Sequence, residues 1–243
     1  MNKEKLKIAL IGYGKMGKAI EEIALKQGHE IVLRISSQNV SDFTAENIKT
    51  ADVAIEFSNP QRAFSNITKC MDAGIPVICG STGWTERLAE AQNYCIEKNA
   101  AFIFASNFSV GVNIFFEVNK KLASMMNAQF GYEIMIEEIH HTQKKDAPSG
   151  TGITIAQQII DSMDRKKTWV NHISENPEEL EIISERIDPT PGTHKVKYYS
   201  TIDDIEIIHT AHNRQGFAFG AVLAAEYIKN KSGNFTMADV LNL

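Results

Sequence analysis

Two rhythms of apolar and polar positions alternate along the first half of the chain. Residues 5–11, 30–35, 51–57, 75–79 and 100–105 are short, mostly aliphatic runs, each stopped by Gly, Ser, Asn or Pro. Between them lie stretches with apolar spacing of three and four, beginning with Ala19, Ile20, Ile23 and Ala24 and including a helix over about 61–73 that ends at Gly74. Runs of the first kind predict buried strands and runs of the second kind predict helices. Strand followed by helix, repeated, predicts a doubly wound parallel sheet. Residues 38–50 are the exception, a short polar passage that leads straight into the next strand.

The rhythm changes near Ser109, and a domain boundary is expected there. Residues 110–127 have helical spacing through Val112, Phe115, Phe116, Val118, Leu122 and Met125. A strand over 132–139 ends at two histidines, and a helical run over 153–163 follows Pro148. Residues 182–187 and 195–202 then read as strands, the second joined through Asp203-Asp204 to 205–212 in a hairpin. Strands adjacent to strands predict a mixed or antiparallel sheet, so the second domain is of α+β type. A helix rich in alanine over 217–228 and a short tail close the chain. The polar stretch 164–179 is expected to be a surface excursion anchored by Trp169, and the acidic run 175–181 a solvated face.

The first strand runs directly into Gly12-Tyr13-Gly14-Lys15-Met16-Gly17, after which a helix begins. G-x-G-x-x-G in this setting makes a tight turn, lets a pyrophosphate approach the backbone, and brings helix and strand close. A second strand at the βαβ distance supports a Rossmann-like, dinucleotide-binding reading over that of a glycine turn that binds nothing. The second strand ends Arg34-Ile35-Ser36-Ser37-Gln38-Asn39, with no carboxylate before Asp42. Nothing there repels a 2′-phosphate, and Ser36, Ser37, Arg34 or Lys15 could donate to one, so NADPH is favoured over NADH.

The densest chemistry is in residues 137–152, EEIHHTQKKDAPSGTG. If the strand before it continues through His140 and His141, a period of two aims the rings at opposite faces, one for chemistry and one for positioning a ligand. Ser149, Gly150 and Thr151 stand where a helix opens, and a helix N-terminus beside Lys144 suits a carboxylate or phosphate. The plainer alternative for Ser149 to Thr151 is an N-cap with turn glycines. No His or Cys falls at zinc spacing nearby, so no metal is expected.

At 243 residues the chain can hold two modest domains, and 43% hydrophobic with 23% charged residues is a globular balance. A net charge of −5 argues against nucleic acid or an anionic membrane as a partner. Three cysteines, an odd number without metal spacing, fit reduced thiols in the cytoplasm. Neither a signal peptide nor an 18-residue apolar run is expected.

The run HHTQKKDAPSGT at 140–151 resembles the signature HHxxKxDAPSGT of the 4-hydroxy-tetrahydrodipicolinate reductases, the dihydrodipicolinate reductases of lysine biosynthesis. GSTG at 80–83 and ASNFSVGVN at 105–113 are similar to two further segments of that family, as are Arg186 and residues 191–194, 209–214 and 216–218. The resemblance spans essentially the whole chain. It implies reduction of a cyclic dicarboxylate, with loss of water, by NADPH or NADH. His140 would be the proton donor and acceptor and Lys144 a second acid, while His141, Gly150 and Thr151, with Ser149, hold the dicarboxylate. Gly80, Ser81, Thr82, Ala105, Ser106, Asn107 and Phe108 would hold the nicotinamide end of the cofactor. It further implies a homotetramer, which is also expected because the strands over 182–212 offer more apolar sheet face than their few helices can cover, and a C-terminal helix that rejoins the first domain. The domains expected are therefore 1–109 with 215–243 for the dinucleotide, and 110–214 for substrate and oligomerisation. The second strand lacks the acidic residue some members have, and 38–50 is shorter than usual, which bears on cofactor preference. Another two-domain NAD(P)-dependent oxidoreductase, or a non-catalytic dinucleotide sensor, are the rival readings. A sensor would not need the cluster at 140–151.

Overall fold

The structure is a computed structural model and describes residues 4–243. It divides into two compact units, one running to Val110 and resuming over Arg214–Leu243, the other Gly111–Asn213.

In the first unit the chain forms β1 (Lys7–Ile11), α1 (Lys15–Lys26), β2 (Glu30–Ile35), α2 (Ala45–Ile48), β3 (Val53–Glu56), α3 (Pro60–Asp72), β4 (Val77–Cys79), α4 (Leu88–Glu97) and β5 (Ala101–Phe104). The second unit is built on α5 (Val110–Met126), β6 (Glu133–His140), α6 (Gly150–Ser162), β7 (Thr168–Val170), β8 (Glu179–Arg186), β9 (Gly192–Tyr199) and β10 (Asp204–Ala211). The chain then returns as α7 (Gln215–Ile228), β11 (Gly233–Phe235) and α8 (Met237–Leu241).

The first unit carries a six-stranded, wholly parallel sheet in the order β11-β5-β4-β3-β1-β2. Side chains alternate faces along each strand, and both faces are covered. Ile8 and Leu10 pack with Ile20 and Ala24 of α1 and Ala221 and Ala225 of α7, while Ala9 and Ile11 pack with Ala63 and Ile67 of α3 and Ala91 and Cys95 of α4. Burial on both sides is why these strands read as continuous apolar runs. β11 adds an edge strand from the tail that has too few residues to carry a pattern. Residues 38–50 are less plain than their polarity suggests, since a 3₁₀ turn over Val40–Asp42 and α2 bury Phe43 and Ile48.

The second unit has a mixed sheet, β10-β9-β6-β8-β7. β6 lies antiparallel to β9 and parallel to β8, and β9 and β10 form the expected hairpin. Alternate residues of β6, from Ile134 and Ile136 to Glu138 and His140, turn to the buried face. That face meets Phe115 and Phe116 of α5 and Ile155 and Ile159 of α6, and Trp169 of β7 packs at its margin. The opposite face is a charge ladder in which Lys195 bridges Glu137 and Glu206, and Lys197 bridges Asp204. β6 stops at His140, so His141 lies beyond the ladder, and α6 begins at Gly150 with Ser149 as its N-cap, where the sequence places a helix opening. β8 and β9 each begin three residues earlier than their apolar runs suggest. In α5 the buried stripe is Val112, Phe115, Phe116, Asn119, Ala123 and Met126, and Val118 and Met125 face outward, since this helix has apolar residues on more than one side.

α7 sits directly over the segment that follows β5, and a Cβ at Gly220 would overlap the carbonyl of Phe108. Gly220→Ala should therefore destabilise the protein by about 1–3 kcal/mol, the usual cost of overpacking a rigid contact. Gly14, where a Cβ would meet nothing within 4 Å, should tolerate alanine in the same urea-unfolding measurement. Equal midpoints for the two variants would contradict the contact.

Candidate functional site

Chemistry-bearing residues gather in each unit separately. In the first, the turn between β1 and α1 uses its three glycines for three different reasons. Gly12 has φ +100 and lies against the Phe57 carbonyl, so both its conformation and its lack of a Cβ are required. A Cβ on Gly17 would come within 2.5 Å of the Gly12 carbonyl oxygen, and Gly14 faces open space. The first and third glycines close the turn, and the second leaves backbone free for a ligand to approach.

A cavity of about 330 Å³ opens beside this turn, lined by Gly12, Tyr13, Gly14, Ser36, Ser37 and Arg62 among others. The Ser36 hydroxyl donates to Asn39 Oδ1 at 2.9 Å and accepts from the Gln38 N–H, which fixes the loop after β2. Arg34 is committed elsewhere: its guanidinium pairs with Glu21, which also accepts from the Tyr13 hydroxyl. Lys15 and Met16 begin α1 outside the cavity lining.

The loop after β3 and the end of β4 are tied to a buried carboxylate. Glu56, fully enclosed at the end of β3, accepts from the Ser58 N–H and hydroxyl, from Asn66 Nδ2 at 3.2 Å and from the Cys79 thiol. Gly80 is a glycine because the Phe57 ring occupies the space of its missing Cβ. Ser81 is buried, its carbonyl accepts from Trp84 Nε1 at 2.7 Å, and Thr82 is exposed. Ala105 and Ser106 are half-buried, and Asn107 Oδ1 accepts from the Ser109 N–H. The Phe108 ring belongs to the core, 5.8 Å from the Phe57 ring, so only its backbone is left for a ligand.

In the second unit the centre is Glu138, which is 0% exposed. Its carboxylate accepts the Ser149 N–H at 3.0 Å, the Ser149 hydroxyl and the Ser184 hydroxyl, and pairs with Arg186 Nη2 at 3.5 Å. Ser149 is the N-cap of α6 and accepts the Gly152 N–H at 3.0 Å. The anion at the start of this helix is thus the protein's own carboxylate. Gly152 is helical, and its need for glycine is steric, since a Cβ there would stand 2.7 Å from Glu138 Oε2.

His140 is buried two residues beyond Glu138 on the same face, with its ring 5.1 Å from that of His194. Its Nδ1 has no hydrogen-bond partner, and Nε2 lies at 3.1 Å from where a Cβ on Gly192 would be. His194 Nε2 is 3.2 Å from the Ser149 hydroxyl. Burial pushes the His140 pKa down to about 4, helped by the cations Lys144 and Arg186 and opposed by Glu138. The same cause takes His194 down to about 3. Lys144, four residues on, holds both oxygens of Asp146 at 2.9 and 2.7 Å. Arg186 donates to the Lys144 carbonyl at 3.3 Å and to the Asp146 carbonyl at 2.6 Å, and so fastens the loop that carries the lysine. The Thr142 N–H and hydroxyl are held by Asp188.

Family models named "Dihydrodipicolinate reductase, N-terminus" and "Dihydrodipicolinate reductase, C-terminus" match residues 6–108 and 111–241. The chain belongs to the dihydrodipicolinate reductase family. It is 51% identical over 242 residues to a 4-hydroxy-tetrahydrodipicolinate reductase of Christiangramia forsetii, covering 98% of each chain. To the enzyme of the same name from Methanosarcina acetivorans it is 36% identical, over 97% of this chain and 89% of the other. A dipicolinate-bound dihydrodipicolinate reductase from Paenisporosarcina sp. TG-14 shares the fold, with a TM-score of 0.74 at 21% identity, over 97% of this chain and 99% of that one. The membership makes the chain an oxidoreductase dependent on a nicotinamide dinucleotide, and the parallel-sheet unit with its open glycine turn fits such a cofactor.

The fold brings His140, Lys144, Ser149, Gly150 and Thr151 of this reductase-family chain into one neighbourhood and ties them to Glu138, Ser184, Arg186 and His194. His141 follows β6 and is half-buried. Glu138, His194 and Arg62 carry no assigned role in the sequence patterns above. The one local signal for Glu138 is a glutamate that falls in step with Ile134 and Ile136 on the buried face of β6.

The two depressed histidines give stability a defined pH dependence. In the unfolded chain both rings titrate near the ordinary 6.5, while in the fold they stay neutral to about pH 4 and 3. Between these values the unfolded state binds more protons, so stability falls as pH drops from about 6.5 and is indifferent to these groups above it. Urea unfolding at pH 7.5 and pH 5 should register the loss in wild type, and a smaller loss in His194→Gln. A midpoint that does not move across this range would mean that the rings are solvated.

Proposed function

We propose that this chain reduces 4-hydroxy-tetrahydrodipicolinate to tetrahydrodipicolinate, with loss of water, as a step of diaminopimelate and lysine biosynthesis. The observation that carries the reading is the network in which Glu138 and Arg186 fasten the loop of Lys144 and the first turn of α6 in the unit where His140 is buried. The bound nicotinamide, NADPH or NADH, supplies the hydride. Loss of the substrate's hydroxyl as water leaves a conjugated imine. A hydride taken at ring carbon 4 moves an electron pair onto the enamine portion, which must then receive a proton. His140 and Lys144 are the groups assigned to that transfer.

The low pKa of His140 bears on how it acts. Without a ligand the His140 ring is neutral at pH 7. A dicarboxylate arriving beside the ring favours its protonated form, as any opposite charge does at short range. The Lys144–Asp146 pair is partly solvated, so an incoming carboxylate can take the place of Asp146 at little cost. We assign His141, Gly150 and Thr151 to holding the two carboxylates, and Ser149 to holding the helix start rather than the substrate. Gly12, Tyr13, Gly14, Lys15, Met16, Gly17 and Ser36, with Gly80, Ser81, Thr82 and the 105–108 segment, are assigned to the cofactor. NADPH is expected to bind at least as well as NADH.

Activity is measured as NAD(P)H oxidation with dihydrodipicolinate synthase supplying fresh substrate. His140→Gln should lower kcat about 10²–10⁴-fold with little change in KM, the range for losing a positioned proton-transfer group. Lys144→Ala should lower kcat as well, and His141→Ala should chiefly raise KM. Near-normal turnover of the His140 variant would remove it from the mechanism, and an inactive wild type would remove the substrate.

The proposal extends to a cytoplasmic homotetramer. Its three cysteines are free and buried, as expected of a reducing compartment. No helix among the described residues is long and apolar enough to cross a membrane. β10 ends the mixed sheet as an edge strand with Ile205 and Ile208 exposed, and such an edge is a ready surface for self-association. Light scattering at micromolar concentration should give about four times 27.1 kDa, and a monomer mass would count against assembly.

A further inference from the structure

The cavity beside the glycine turn contains a cation that nothing else in the protein explains. Arg62 lines it from the first turn of α3, across from Ser36 and Ser37 at the end of β2. Its backbone N–H is capped by Asn59 Oδ1 at 3.1 Å, so the main chain there is fixed. Among the described residues no hydrogen-bond acceptor or carboxylate holds its guanidinium. A cation in the first turn of a helix opposes the helix dipole, and this turn contains no acidic residue to offset it. A solvated surface arginine would be placed better almost anywhere else on the helix.

In a βαβ dinucleotide site the ribose that carries the 2′ position lies at the end of the second strand. Here that is the Ser36-Ser37 corner, whose own side chains offer only neutral donors. The strand's cation, Arg34, is occupied by Glu21 and by the Ile31 carbonyl at 3.3 Å, and Lys15 does not line the cavity. Arg62 is the guanidinium that both reaches this cavity and lacks a partner. We propose that Arg62 receives the 2′-phosphate of NADPH in this chain and sets its preference over NADH. The proposal rests on the reading of the first unit as a dinucleotide site, and adds that the discriminating charge comes from α3 rather than from β2. A planar fork of donors suits a phosphate dianion, whereas the 2′-hydroxyl of NADH offers it no charge to pair with.

Fluorescence titration of NADPH and NADH, with 2′,5′-ADP and 5′-AMP as fragments carrying and lacking the phosphate, tests this. Arg62→Ala should weaken NADPH and 2′,5′-ADP roughly 10-fold or more, the scale of a lost charge-assisted contact, while NADH and 5′-AMP change less than about 2-fold. Arg62→Lys should recover part of the loss. Ser36→Asp should shift preference toward NADH independently, by repelling the phosphate at the same corner. Tight NADPH binding that Arg62→Ala leaves unchanged, or weakens in step with NADH, overturns the proposal and leaves the dinucleotide site intact. A wild type that binds neither cofactor overturns both. Circular dichroism of Arg62→Ala should match wild type, because the side chain is exposed.

Discussion

A carboxylate with no exposure to water can persist in a protein only if several donors are aimed at it, and Glu138 imposes that requirement on the second unit. Its donors come from separate places in the chain: Ser149 at the start of α6, and Ser184 and Arg186 on β8. Each must be where it is for the charge to be tolerated, so the carboxylate specifies the register of β8 beside β6 and the position at which α6 begins. Gly152 follows from the same demand, because any side chain there would strike the carboxylate. His140 and His194 are then enclosed against this centre, and their neutrality follows from being enclosed.

The first unit repeats the device. Glu56 stands at the carboxyl end of β3 and is held by Ser58, Asn66 and Cys79, as Glu138 near the end of β6 is held by Ser149 and Ser184. In both places a buried acid organises the loops beyond a strand end, the part of an α/β sheet where ligands are bound. Chemistry on loops needs loops that do not wander. Two satisfied carboxylates supply that rigidity at sites where apolar packing could not, since ligand-binding loops must stay partly polar and solvated.

Arg186 and Arg34 illustrate two uses of a strand-borne arginine. Arg186 spends its donors on the carbonyls of Lys144 and Asp146 and thereby fixes a loop rich in polar residues. Arg34 pairs with Glu21, which also holds the Tyr13 hydroxyl, and so braces the glycine turn rather than meeting a ligand. Position along β2 alone makes Arg34 a possible phosphate donor, but its guanidinium is taken by Glu21. The ion pair with α1 is a contact between elements, and no spacing within β2 encodes it.

Much of this protein was determined by local pattern alone. Apolar runs stopped by Gly, Ser or Pro specify the parallel strands, G-x-G-x-x-G after a strand specifies the β1–α1 turn, and the run from His140 to Thr151 resembles one family closely enough to identify it. These features are legible because their causes are local: a period of two or 3.6, a backbone conformation that favours glycine, a cap at a helix start. Tertiary structure decided the rest. β7 and β11 have three residues each and exist only because a neighbouring strand offers them a ladder. Val118 and Met125 match a helical stripe and yet face outward, because which of several apolar faces is buried depends on what is packed against it. The partners of Glu138 lie between 11 and 48 residues away along the chain, and Arg62 enters the cavity from a different helix than the one the glycine turn opens. Burial of a charge is a property of the completed fold, and its consequences for proton affinity and for which cation remains free appear only once the elements have met.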